Sequence, residues 1–146
     1  MDNDRVRENT SEDVNRDIDQ VAESQIRKFA SMGRDEMTRR IDELDREWDI
    51  ERVLETNASV IALSGLILGA THNKKWLIVP GIVTTFLFQH AVQGWCPPVP
   101  LFRRLGVRTR REIDEEKYAL KAIRGDFDGV SSGTHNVGSA LQAVRA

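Results

Sequence analysis

Across residues 56–102 only two side chains carry a formal charge, Lys74 and Lys75. The chain has 21 Lys and Arg residues and 23 Asp and Glu residues, and all the others lie outside this window. The two lysines divide it into charge-free runs, 56–73 and 76–102. At about 1.5 Å per residue, each run is long enough for a helix to cross a bilayer core of about 30 Å. A pair of such runs with a short charged break predicts a two-helix transmembrane hairpin in an all-α chain. Amphipathic cytoplasmic helices are expected on both sides of it.

The flanks are charged in opposite senses. Residues 1–55 hold 17 acids and 10 bases, and residues 103–146 hold 6 acids and 9 bases. An acidic leading arm beside a basic trailing one lacks the single broad basic face of a nucleic-acid binder. At 146 residues there is room for one domain with arms. The apolar stretch begins too far into the chain for a cleaved signal peptide.

Residues 1–10 are polar and expected to be disordered. Residues 11–55 form a charged, amphipathic helical arm. In it Val14, Ile18, Val21, Ala22, Ile26, Phe29 and Ala30 recur at helical spacing, and Gly33 is a stop signal. A second stripe follows at Met37, Ile41, Leu44 and Trp48, a short heptad-like seam. It suits packing on a neighbouring helix or a partner, or a helix lying on the membrane with Trp48 at headgroup level.

The hairpin occupies 56–102, with crossings at about 56–72 and 76–96. In the first crossing Ala58, Ala62, Gly65 and Gly69 share one helical face, a small-residue pattern that permits close backbone approach. Packing against the second crossing and homodimerisation are both consistent with it. Trp76 and Trp95, 19 residues apart, are expected as interface anchors at the two ends of the second crossing. Pro80 falls near the helix start, where its missing N–H costs little. Cys96-Pro97-Pro98 is expected to end the helix. Arg39, Arg40, Arg46 and Arg52 lead into the hairpin, and Arg103, Arg104, Arg108, Arg110 and Arg111 leave it, against two lysines in the turn. The excess of basic residues places both termini in the cytoplasm. The trailing arginines are candidate contacts for anionic lipid, at about 1 kcal/mol each. Residues 103–124 form a basic juxtamembrane segment and a helix, with Thr109 to Glu112 as a capping box and Ile113, Ala119, Leu120 and Ile123 as the apolar side. Residues 125–146 are rich in Gly and Ser and expected as a flexible tail.

Few groups here could carry chemistry. Gln89, His90 and Gln93 are polar positions within or near the bilayer, where such residues are often functional. Interhelical hydrogen bonding explains them as well. Cys96 is the only cysteine, which excludes a disulfide framework. It is a candidate reactive thiol with His90, since nearby cations raise thiolate content; its place at a helix C-terminus works against an anion. His72 belongs at the opposite membrane face, so His72, His90 and Cys96 make no metal site. Serine, histidine and aspartate occur at no triad-like spacing, and there is no glycine-rich phosphate loop or HExxH sequence. No catalytic set, cofactor or metal is expected.

Gly94-Trp95-Cys96-Pro97-Pro98 with Leu105-Gly106-Val107 resembles the YgaP-like transmembrane family. Asp49-Ile50-Glu51-Arg52 ahead of a glycine-rich first crossing, a short turn and a Cys-Pro at the end of the second extend the resemblance over 49–107. It implies a small bacterial inner-membrane module with two short crossings, of a kind sometimes fused to a rhodanese domain. Sulfur chemistry through Cys96 would follow from that association, although this chain carries helical arms in place of such a domain.

The expected function is therefore that of a non-enzymatic, two-pass membrane protein serving as an interaction or self-association module. Its partners would be the lipid bilayer with its anionic lipids, a second copy, or a cytoplasmic protein. A thiol-based sulfur carrier or redox sensor using Cys96 is one alternative, and an oligomeric small-solute channel another. A soluble four-helix domain is the competing fold, because an apolar helix can also be one buried all round.

Overall fold

The computed structural model describes residues 4–130 and 137–145, and every regular element among them is helical. In chain order these are α1 (Arg5–Glu8), α2 (Glu12–Met32), α3 (Arg34–Arg46), α4 (Ile50–Thr71), a 3₁₀ turn (Lys74–Leu77), α5 (Ile78–Gln93), α6 (Val99–Arg104), α7 (Arg110–Arg124) and α8 (Val137–Arg145). The chain divides into two units. One comprises Met1–Ile18 with Trp48–Arg111, the other Asp19–Glu47 with Glu112–Ala146.

The first unit contains α4 and α5. Asp49 starts α4 by accepting a hydrogen bond from the Arg52 amide at 2.9 Å, a side-chain cap for one of the orphan donors at a helix start. One face of α4 carries Leu54 and Gly65 and Gly69, all buried, with Ala58 and Ala62 half-buried between them. That stripe meets the start of α5. A Cβ on Gly65 would come within 2.7 Å of Pro80 Cδ, and one on Gly69 within 2.5 Å of Leu77 Cδ2. The small-residue face is thus occupied within the chain, and of the two expected uses, packing against the second apolar helix is the one observed.

The facing side of α5 carries Val79, Pro80, Val83, Leu87 and His90, buried or half-buried, at a four-and-three spacing that keeps them on one helical face. The outward residues are apolar and exposed: Val60, Ile61, Leu63, Leu66 and Ile67 on α4, and Ile78, Ile82, Phe86, Phe88 and Val92 on α5. Outward hydroxyls bond back to carbonyls one turn earlier, Ser64 to Val60, Thr71 to Ile67, Thr84 to Pro80 and Thr85 to Gly81. Two helical stretches, Arg34–Thr71 (which ends in α4) and Lys74–Gln93, are long and apolar enough to cross a membrane. In their most apolar parts only 17% and 6% of residues are buried. A core helix of a soluble protein would be largely buried.

α5 stops sooner than expected. Its last residue is Gln93, and Gly94 follows with φ 73°, its amide donating to the His90 carbonyl at 2.7 Å. A left-handed glycine ends the helix, so Cys96-Pro97-Pro98 is not the stop. Trp76 consequently sits in the 3₁₀ turn and Trp95 beyond the cap, rather than at the two ends of one regular helix.

The apolar cluster of this unit unites Val6, Ile50, Leu54, Cys96 and Val99, with Phe102 and Val107 packed against it. Residues 5–8, expected to be disordered, are helical instead, because Val6 has a place in this cluster.

The second unit is built on Phe29, Met37, Ile41, Leu44, Ile113 and Leu120, with Ile26 against them. Met37, Ile41 and Leu44 are the expected seam, but α3 ends at Arg46 and Trp48 is 47% exposed. On α2 the stripe holds at Ile18 and Phe29, while Val21 is exposed. Gly33 takes the stop position expected for it, with φ 105° between α2 and α3. Glu116 is buried and accepts from Arg40 Nε at 2.9 Å. Lys121, also buried, donates from Nζ to the Val144 carbonyl of α8 at 2.8 Å, and burial lowers its pKa. The expected flexible tail therefore contains a helix at Val137–Arg145; residues 131–136 and 146 of that tail lie outside the described residues.

Candidate functional site

The end of α5 is held by the N-terminal segment. The last carbonyls of a helix have no partner within it. Arg5 Nη1 donates to the Ala91 and Val92 carbonyls at 2.9 and 3.1 Å, and Asn9 Nδ2 to the Gln93 carbonyl at 3.1 Å. The guanidinium also suits the negative end of the helix dipole. This approach is close enough that a Cβ on Gly94 would lie 2.4 Å from Arg5 Cβ, so glycine is required there for space as well as for φ. Asp4 takes a hydrogen bond from the Arg7 amide at 3.0 Å on one oxygen and from Thr109 Oγ1 at 2.6 Å on the other. The Ile50 amide, at the start of α4, donates to the Arg108 carbonyl at 2.9 Å.

These links enclose a cleft of about 430 Å³. The starts of two long helices border it, α4 through Ile50 and Glu51 and α7 through Arg110 and Arg111, with Thr109 just before. Asp4, Arg5 and His90 complete its polar lining. His90 is 4% exposed, and its Nε2 lies 2.7 Å from Glu51 Oε2. Its Nδ1 is buried without a hydrogen-bond partner among the described residues, a condition that costs free energy unless a partner is supplied.

The expected site residues are distributed differently from the sequence reading. His90 and Cys96 do not form a reactive pair: His90 faces Glu51, while Cys96 sits in the apolar cluster, 4% exposed. The thiol lies beyond the end of α5, and burial pushes its pKa up, with the Glu51 carboxylate adding to the effect. A raised pKa reduces the thiolate that does the chemistry. Gln89 bonds to Gln93 one turn along at 3.4 Å. Of the five arginines expected at lipid, Arg104, Arg110 and Arg111 are exposed. Arg103, expected at the lipid headgroups, is buried within the protein instead. It is 1% exposed and donates to Thr10 Oγ1 at 3.2 Å, Asn15 Oδ1 at 2.9 Å and the Val107 carbonyl at 3.1 Å. Arg108 is buried as well. Trp76 is 43% exposed, and Trp95 is half-buried.

Arg5, Asp4 and the role of Glu51 escaped the sequence reading. Their partners lie 39 to 105 positions away, so no local pattern pointed to them. A glycine two residues before the only cysteine, just after a histidine and two glutamines, was the one available signal for the helix end. Among the described residues no three His, Cys, Asp or Glu side chains group to hold a metal ion. Comparison with family profiles, with curated proteins and with solved structures finds no match for this chain.

Proposed function

We propose that this chain is a two-pass integral membrane protein, non-enzymatic, in which α4 and α5 form a hairpin across a bacterial inner membrane. Both termini lie in the cytoplasm, and the amphipathic flanking helices serve an interaction or self-association role. The observation that carries this reading is the exposure of the most apolar helices: the outer faces of α4 and α5 are apolar and unburied, while their inner faces are closed by Gly65 and Gly69. Lipid is the solvent that accommodates such a surface without loss. The back-bonded hydroxyls of Ser64, Thr71, Thr84 and Thr85 fit the same solvent, since no water is there to satisfy them. The apolar outer faces give way, at the start of α4, to Glu51, Arg52 and Trp48, where Arg52 stands 4.2 Å over the Trp48 ring. Tryptophan and arginine together suit the headgroup region.

Because the glycine face is filled internally, self-association would use the outer faces of the hairpin or the flanking helices. Arg104, Arg110 and Arg111 are the remaining candidates for anionic lipid. A place in the YgaP-like family is part of this proposal. Extraction of cell membranes with alkaline carbonate tests the placement: retention in the pellet is expected, and release into the supernatant would refute it.

A further inference from the structure

We infer that the short helix α6 and the Leu105 that follows it form an in-plane membrane anchor. Their outer face lies in the headgroup boundary of the cytoplasmic leaflet, with Arg104 on the phosphate of an anionic lipid. The anchor rests on the hairpin reading above and adds to it a second lipid-facing surface in the same unit. The inner side of α6 is fixed by the protein. Val99 is fully buried in the cluster with Ile50, Leu54 and Cys96, and Phe102 packs against that cluster. Arg103 is held by Thr10, Asn15 and the Val107 carbonyl. The outer side has no such cover. From Pro97 to Leu105 the exposed residues are Pro97, Pro98, Pro100, Leu101, Arg104 and Leu105, so Arg104 is the single polar side chain among them. Leu101 is 59% exposed and Leu105 70%, and their spacing of four puts them on one side of the turn. Single exposed leucines need no explanation, whereas a contiguous apolar surface marks a contact.

Height and charge identify what covers this face. α6 packs on Ile50 and Leu54, in the first turns of α4. Beside them stand Trp48, Glu51 and Arg52, the residues suited to the headgroup region. α6 therefore lies where the proposed hairpin leaves the hydrocarbon, in the same unit as α4 and α5. An apolar face with a cation at its edge, held at that height, is the arrangement of an interfacial element. No Asp or Glu occurs between Glu55 and Glu112, so this stretch carries nothing that repels an anionic surface. Arg104 makes no hydrogen bond or ion pair among the described residues, although its charge reaches the exposed Asp13. Its long stem can lie along the leucines while the guanidinium meets phosphate oxygens, which it bonds with charge assistance.

Full-length protein in a Cys96→Ala background receives one nitroxide spin label, at Leu101→Cys, Leu105→Cys, the outward Phe88→Cys of α5 or the exposed Ser24→Cys of α2. Each protein is reconstituted into phosphatidylcholine vesicles with and without phosphatidylglycerol. Power-saturation EPR reads collisions with oxygen, which concentrates in lipid, and with an uncharged nickel chelate, which stays in water. In the mixed vesicles both α6 labels are expected to favour oxygen over the chelate about fivefold more than Ser24→Cys does, as an interfacial position should. Phosphatidylglycerol is expected to carry the Leu105→Cys label deeper, and Arg104→Gln to abolish that response. Chelate collisions at both α6 labels equal to those at Ser24→Cys overturn the anchor, as does a response to phosphatidylglycerol that survives Arg104→Gln. Shielding from both reagents also overturns it, because a protein surface then covers the face. The two α6 labels sit at exposed positions and are read separately, so misfolding of one protein leaves the other to decide. The Phe88→Cys label separates this anchor from the hairpin. Oxygen at Phe88→Cys with chelate at both α6 labels sinks the anchor and leaves the hairpin standing; the reverse pattern leaves the anchor standing without the hairpin.

Discussion

Gly94 bears two demands at once, a left-handed backbone and contact with Arg5. An L-residue in that conformation costs about 1–2 kcal/mol, and the overlap of a Cβ with Arg5 adds to it. Gly94→Ala is therefore expected to destabilise the protein by about 2 kcal/mol or more, read as a lower melting temperature in detergent, whereas Gly106→Ala, with open space around it, should show only the conformational part. Arg103 is the second residue whose role is structural. Truncating it removes the Arg103 donor from Thr10, Asn15 and the Val107 carbonyl, all half-buried, and an unsatisfied group costs up to about 1–3 kcal/mol where water cannot reach it. Arg103→Ala should lower the melting temperature strongly, while Arg104→Ala should leave it unchanged and weaken binding to anionic vesicles. Cys96, buried among Val6, Ile50, Leu54 and Val99, should resist alkylation at neutral pH and react fully once the protein is unfolded. In the second unit, Arg124 donates from Nε to Asp126 at 2.8 Å and holds its carboxyl below the usual carboxylate range. A carboxylate with a lowered pKa contributes stability above its unfolded pKa and loses it as pH falls through the folded one. The loss of stability on acidification below about pH 4 should therefore be less steep in Asp126→Asn than in the native chain. The same Arg124 reaches Thr38 Oγ1 from Nη1 at 2.8 Å, so α3 and α7 are the elements that loosen.

At the scale of elements, α4 and α5 meet on small residues. Gly65→Leu or Gly69→Leu would drive a side chain into Val79, Pro80 or Leu77, and helices that associate through small residues cannot absorb that bulk. Cysteine pairs placed across α4 and α5 in a Cys96→Ala background should cross-link readily in the native sequence and poorly in either leucine variant. The helices themselves were legible in advance because a charge-free run and small residues spaced four, three and four apart at Ala58, Ala62, Gly65 and Gly69 are local signals. The stripes on α2, α3 and α7 followed from periodicity only in part: Phe29, Met37, Ile41, Ile113 and Leu120 are core residues, but Ile123, expected on the apolar side of α7, is exposed, and Glu116 and Lys121 are buried there instead. The end of α5 was misplaced since two prolines look like the stronger punctuation, yet the glycine before them takes the left-handed turn first. The short α1 was invisible: four residues have no periodicity, and Val6 is ordered by Ile50 and Cys96 far along the chain. The cleft was illegible for the same reason, because a lone histidine shows nothing of a glutamate 39 positions away. Arg103 looked like one of five equivalent basic residues until burial separated it from Arg104.

At the scale of the whole molecule, the proposed hairpin would turn at Asn73, Lys74 and Lys75. Asn73 caps the turn through its side chain, accepting from the Lys75 amide at 2.9 Å, and Lys74 and Lys75 are exposed. In the proposed hairpin, two lysines there against the nine arginines nearest its two ends would orient the turn outward. Labelling with a membrane-impermeant maleimide reads that arrangement directly. In a Cys96→Ala background, single variants Lys75→Cys, Ser24→Cys and Gly129→Cys are treated in intact spheroplasts and again after the membrane is opened. The expected result is labelling of Lys75→Cys in intact spheroplasts, with Ser24→Cys and Gly129→Cys reacting only after opening. Labelling of all three positions only after opening would contradict a hairpin that crosses the membrane.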